Sequence, residues 1–265
     1  MILAWLAAGA LAAESTFAGA VAPGQLVGPA QTTVSAQFGG TWTAGNASSY
    51  LVTTALTTSR RWNRSRSTLA LQANIGRARA DTDGDGHLDA EERAATPAET
   101  ARRLSAELRQ DRYVSDRDSV YVLGGPLADP FAGFDLRSHA QVGFSRTLVS
   151  EKHRSLVVEA GADAAYEDVV DGVESGNRYV FAFRAMARGG YRFNESVTAN
   201  AQVEALENVL EPTDLRILAS ATLAARLTTL LDVRLGTQIT YDNQPVEGFV
   251  PLDQVTTASL VASFR

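Results

Sequence analysis

The residues from Asp81 to Glu92 read Asp-Thr-Asp-Gly-Asp-Gly-His-Leu-Asp-Ala-Glu-Glu, with acids at alternating positions and a closing pair of glutamates. A calcium ion takes about six to eight hard oxygens at flexible geometry, and this spacing can supply them from one short loop. Asp81, Asp83 and Asp85 would offer carboxylates, His87 its backbone carbonyl, Asp89 a direct or water-mediated oxygen, and Glu92 two oxygens. Gly86 permits the sharp turn and Leu88 supplies an apolar anchor. The plain alternative is a solvated acidic loop that collects ions without a defined site.

The same residues fit an EF-hand calcium loop at every fixed position. Their context differs, because a strand ending near Ala80 precedes the loop where an EF-hand has a helix. The segment Glu91 to Leu108 is expected to open with a short helical turn before the next strand. A lone loop of this kind binds weakly, at about 10⁻⁴ to 10⁻³ M, so the expected cofactor is a structural Ca2+.

Other chemistry finds little to work with. The chain has no cysteine and three histidines, His87, His139 and His153, which removes thiolate catalysis and leaves His-rich metal catalysis poorly supported. His139 lies on the polar side of the stretch Leu136 to Leu148 with Arg137, Gln141, Gly143 and Ser145, and His153 belongs to a turn. A serine and a histidine can build a hydrolase, and some twelve-stranded barrels are phospholipases, but a surface cluster of that kind is absent from the pattern. No catalytic residue is assigned.

The elements that would carry these residues are strands. An extended chain sends successive side chains to opposite faces, and the sequence beyond Gln31 follows that period of two. Tyr179, Phe181, Phe183, Ala185, Ala187, Gly189, Tyr191 and Phe193 share one face, opposite Arg184, Met186, Arg188, Gly190 and Arg192. Aromatics at both ends of an apolar face form the girdle of a lipid-facing strand. The alternation returns at Leu231 to Tyr241, Val197 to Ala205 and Leu69 to Ile75. A soluble β-sandwich would alternate in the same way, so length and turn spacing must arbitrate.

Short turns fall at Asn63 to Arg64, Ser115 to Arg117, Ser150 to His153, Asn194 to Glu195 and Thr228 to Thr229. Longer connections fall at Ala44 to Ser49, Asp81 to Thr100, Pro126 to Gly133, Asp168 to Asn177, Leu206 to Thr213 and Asn243 to Pro251. That rhythm predicts an all-β, up-and-down antiparallel transmembrane barrel of about twelve strands, its long loops facing outward and both termini on the periplasmic side. None of the eight prolines is expected inside a strand. The last strand, Leu252 to Phe264, ends on an aromatic followed by Arg265, which departs slightly from the assembly signal that leaves the aromatic last.

The inward faces then carry both signs of charge: Arg103, Glu107, Arg109 and Asp111 on one strand, Glu159 and Asp163 on another, Arg184 and Arg188 on its neighbour, then Glu204, Arg216, Arg226 and Arg234. They could line a narrow polar passage, or pair across strands, Glu159 and Asp163 against Arg184 and Arg188 for example, and fill the lumen.

Met1 to Ala13 reads MILAWLAAGALAA, a signal peptide pattern with cleavage after Ala12 or Ala20, although the usual positive start is missing. Residues 21–30 would be a periplasmic lead-in and residues 31–265 the barrel, placed in a bacterial outer membrane. Beyond the N-terminus no apolar run reaches the roughly 18 residues a membrane helix requires. A net charge of −6 without a basic block speaks against a nucleic-acid partner. The expected partners are outer-membrane lipids and, through the last strand, the barrel-assembly machinery.

Several blocks carry a family resemblance over Tyr50 to Phe264. Asp129-Pro130-Phe131-Ala132-Gly133-Phe134-Asp135-Leu136-Arg137, Thr240-Tyr241-Asp242-Asn243-Gln244-Pro245, Gly248-Phe249 and the closing Leu260 to Phe264 resemble the salt-induced outer-membrane proteins, domain of unknown function 481. The resemblance implies an outer-membrane barrel and brings no substrate or catalytic residue, and the acidic insertion at Asp81 to Glu92 stands outside its pattern. A non-enzymatic barrel with a structural, envelope-stress role or a narrow passage for small polar solutes is the first expectation. A lipid-modifying barrel enzyme and a soluble secreted calcium-binding β-sandwich are the alternatives.

Overall fold

The computed structural model describes residues 30–43, 48–79, 88–170, 177–245 and 250–264. The twelve strands are β1 (Gln31–Thr43), β2 (Ser49–Trp62), β3 (Ser65–Ala78), β4 (Ala98–Tyr113), β5 (Asp118–Asp129), β6 (Phe134–Ser150), β7 (Arg154–Val169), β8 (Arg178–Arg192), β9 (Val197–Asn208), β10 (Leu215–Arg226), β11 (Leu231–Asp242) and β12 (Leu252–Phe264). Each pairs antiparallel with its neighbours in sequence, and β12 closes onto β1 from Val34↔Phe264 to Gly39↔Ser259, so the sheet is a closed barrel. Closure gives every strand two partners, which hydrocarbon demands because it cannot hydrogen-bond a bare sheet edge. The soluble sandwich is thereby excluded.

Polarity is inverted relative to a soluble protein. The outside carries exposed Phe38, Leu56, Leu71, Leu108, Val122, Val142, Phe183, Leu235 and Leu260, while most of the buried side chains are polar or charged. Phe134 and Val169, with Ala132 against them, form a small apolar cluster beside the β5–β6 connection. Aromatics mark both ends of the exterior: Tyr166 and Tyr179 lie 5.1 Å apart at the long-loop end, and Tyr191 and Phe193 lie 5.0 Å apart at the short-turn end. Amphipathic rings settle at the two headgroup levels, so these pairs set the height of the apolar band.

The tight turns follow local chemistry. Asn63, in the two-residue link between Trp62 and Ser65, adopts φ 47°, a left-handed conformation that asparagine tolerates and a primed hairpin turn requires. Between β6 and β7, Arg154 donates to Glu151 at 2.7 and 2.9 Å, and this holds the Glu151 carboxyl below its ordinary pKa.

The connection expected over Pro126 to Gly133 is shorter in the structure. β5 runs on to Asp129, through Pro126, and a 3-10 turn (Pro130–Ala132) follows, with Asp129 capping it by accepting from the Ala132 amide at 3.2 Å. The β4–β5 ladder skips Gly125 and Pro126 between its Gly124 and Leu127 pairs while Pro126 keeps its register with Ser138 on β6, and a proline is tolerated at such an irregularity. Before β4 lies α1 (Ala90–Ala94), a single helical turn.

Candidate functional site in the lumen

Because alternate residues point inward, β3 to β10 deliver their charges into one space. Arg109 on β4 is the centre. Its guanidinium donates to Glu159 on β7 at 2.7 and 3.1 Å and to Asp111 at 2.8 and 3.0 Å, and Asp111 also accepts from Arg66 on β3 at 3.2 Å. Glu159 accepts in turn from Arg184 on β8 at 2.8 Å, and Arg184 completes a two-pronged pair with Glu204 on β9 at 3.0 Å for each bond. Arg66, Asp111, Arg109, Glu159, Arg184 and Glu204 thus form one chain of alternating sign across the inner wall. The side chains of Arg109, Asp111 and Glu159 are each 1% exposed.

Tyr121 on β5 underlies this chain. Its hydroxyl accepts from Arg184 at 2.7 Å, and the Arg109 guanidinium sits 4.2 Å from its ring centroid. A Cβ on Gly143 would lie 2.5 Å from that hydroxyl and one on Gly161 3.0 Å from it. Those glycines let the ring lie along β6 and β7 and reach β8. Side-chain-free positions in a strand mark such close approaches, and this was the one signal in the sequence for Tyr121.

A second cluster lies toward the long-loop end. Glu167 on β7 accepts from Arg216 on β10 and, at 2.6 Å, from Arg178 on β8, with Arg137 on β6 at 3.4 Å. Arg216 also meets Asp242 at 3.2 Å and Asp214 at 3.4 Å. Between the two clusters His139 faces Glu107 and Asp163.

The structure therefore brings Glu159, Arg184 and Glu204 into the central chain and Arg216 into the second cluster. Asp163 faces His139, with Arg137 within reach, rather than Arg184 or Arg188. Register explains this, since Asp163 stands opposite Ala182 on β8 while Arg184 stands opposite Gly161 and reaches Glu159 diagonally. Arg188 and Arg234 point inward toward the short-turn end, and Arg226 sits at that end, half-exposed, 3.8 Å from Asp232. His139, being inside the barrel, cannot serve a lipid-facing hydrolase.

Of the proposed calcium ligands, Asp81, Asp83, Asp85 and His87 lie outside the described residues. Asp89 and Glu92 form a capping box on α1: the Asp89 carboxylate accepts from the Glu91 and Glu92 amides at 2.9 and 2.8 Å, and Glu92 accepts from the Asp89 amide at 3.1 Å. Leu88 is buried beside them. A capping box by itself accounts for an acid pair at this spacing. No group of three or more His, Asp or Glu side chains among the described residues could hold a metal ion.

Comparison with known proteins agrees with this architecture. The family described as protein of unknown function, DUF481, matches residues 36–264. The chain belongs to this family. No curated protein matches it. Among solved structures, the DUF481 chain is similar to the NanC porin, with 12% identity, a TM-score of 0.53, and coverage of 88% of this chain and 99% of that one. It is also similar to the COG4313 outer membrane channel from Pseudomonas putida F1, with 13% identity, a TM-score of 0.49, and coverage of 92% and 100%. At such identities the likeness is one of fold alone, the barrel of the NanC porin.

Proposed function

We propose that this DUF481 chain is a non-enzymatic barrel of the bacterial outer membrane that passes small polar solutes through a neck lined by the Arg66 to Glu204 chain. The observation that carries the reading is that chain itself. It runs from β3 to β9, holds Arg109, Asp111 and Glu159 against the inner wall at 1% exposure, and leaves the more open Glu204, with Glu107 beside it, as the carboxylates a solute would meet. Alternating charges at a constriction favour small polar species and work against bulky or apolar ones. Support for the membrane location comes from the apolar exterior between two aromatic bands. The strand Leu252–Phe264 is the segment that the barrel-assembly machinery would read.

Planar-bilayer recording of the purified protein tests the passage. Small, discrete conductance steps are expected, larger in Glu159→Ala, which opens the neck. Silence in both proteins would reduce the barrel to a structural role in the envelope.

The acidic loop is assigned to Ca2+ as a structural ligand at the outward end, held by Asp81, Asp83, Asp85, the His87 carbonyl, Asp89 and Glu92. Support lies in the spacing of the acids from Asp81 to Glu92, which fits a calcium loop at every fixed position. Calorimetry should show saturable binding at about 10⁻⁴ to 10⁻³ M that Asp85→Ala abolishes. No heat at millimolar calcium would refute the assignment.

A further inference from the structure

The cluster between the two arginine networks is built from three strands. His139 Nε2 lies 3.8 Å from Glu107 Oε2 and His139 Nδ1 lies 3.7 Å from Asp163 Oδ1. These distances suit ion pairing and are too long for a settled hydrogen bond. Asp163 is buried, its side chain 1% exposed, and its polar neighbours are the His139 ring, the Gln141 amide and Arg137. β5 runs between Glu107 and His139, and at that height it carries Gly125, which pairs with His139. A Cβ on Gly125 would lie 1.9 Å from the Ala106 carbonyl and 3.0 Å from the Glu107 Cα. The missing side chain is what lets Glu107 reach the ring from two strands away.

A buried carboxylate carries a desolvation cost that its neighbours must offset. At 1% exposure Asp163 is out of reach of a passing solute, and both nitrogens of one ring are aimed at separate acids, so a shared metal position does not exist. The ion that fits is a proton. An imidazolium has two N–H donors and can serve both carboxylates at once, whereas a neutral imidazole has one and can serve only one of them. Histidine is the side chain whose charge changes between about pH 5 and 8.

We infer that Glu107, His139 and Asp163 form a proton switch in the lumen, which sets the charge of the passage according to the pH outside the cell. This inference rests on the proposed passage and names its regulation. With the ring protonated, the three side chains bridge β4, β6 and β7 and the cluster loses one unit of negative charge. With the ring neutral, Glu107 is released from it and presents its carboxylate to the lumen. The charged groups around the ring are few: Arg109, Arg184 and Glu204 lie within electrostatic reach of Glu107, and Arg137 within reach of Asp163. β5 contributes the uncharged Leu123, Gly125 and Leu127, and the nearest polar neighbour on β6 is Gln141.

Two measurements test the switch separately from the passage. In detergent micelles, NMR of the imidazole nitrogens followed against pH should show two protonation states of His139, whose balance moves in Glu107→Gln and in Asp163→Asn. A ring that stays in one state, or is indifferent to both variants, overturns the switch whether or not the barrel conducts. In bilayers, the reversal potential under a salt gradient should shift toward anions as the pH falls from about 8 to about 5, and His139→Gln should remove the shift. A conducting wild type with pH-independent selectivity also overturns it. A silent wild type removes the proposed passage, and the NMR titration alone then decides whether the proton site exists.

Discussion

Glu159→Ala is expected to cost about 3–5 kcal/mol of stability, because it strips two buried arginines of the carboxylate they share. Arg109 donates to Glu159 with two nitrogens and Arg184 with one. The alanine leaves Arg109 its bonds to Asp111 and its place on the Tyr121 ring, and Arg184 its bonds to Glu204 and the Tyr121 hydroxyl. Both guanidinium groups stay beside the Tyr121 ring, 4.2 and 5.6 Å from its centroid, without the carboxylate that joined them. Replacing a buried ion pair as a whole can be neutral, whereas removing one member leaves an uncompensated charge. Urea unfolding in lipid vesicles measures the difference. An exposed pair would lose no more than about 1 kcal/mol, and a loss of that size would mean water reaches the chain freely. Glu151→Ala is the internal control, since its bond to Arg154 lies in a fully solvated turn.

The barrel was legible because period two, turn spacing and aromatic banding are all local. Each depends on residues within one strand or on its immediate flanks, and the boundaries at Asn63, Ser150 to His153 and Thr228 to Thr229 are where β2, β6 and β10 give way to the next strand. Pro126 misled the reading because a proline's meaning depends on whether its missing N–H faced a ladder bond, and the skipped pairs between β4 and β5 are a feature of two strands together. Parity also says which side chains point inward, so the charges of β4, β7, β8 and β9 could be named from the sequence. Which of them meet could not. Arg109 and Glu159 come from strands separated by β5 and β6, and their contact depends on barrel curvature and on the stagger of successive registers, shifted at Leu127/Asp129, Phe134/Leu136 and Thr147/Val149. Tyr121 was missed for the same reason, although Gly143 and Gly161 were a visible sign that something large crosses those strands.

Val142→Arg carries the strongest test of the outside. Val142 stands midway along β6, opposite Val122 on β5 and Ala162 on β7, and it is 57% exposed. In a soluble sheet an arginine at so open a position would be tolerated, because its guanidinium would find water at once. On the lipid face of a barrel the same side chain faces hydrocarbon, and near the bilayer midplane an arginine costs about 2–4 kcal/mol. Moving the substitution along the exterior should grade the effect. Tyr191→Arg, in the aromatic band at the short-turn end, is expected to cost about 1 kcal/mol or less, since there the charge can rise to the headgroups. The contrast is read from folding free energies in vesicles, with detergent micelles as the comparison. Equal costs at Val142 and Tyr191 would mean that the apolar belt does not lie across the bilayer. A steep difference fixes the membrane's height on the barrel, and it places the Arg109 and Glu159 chain inside that height.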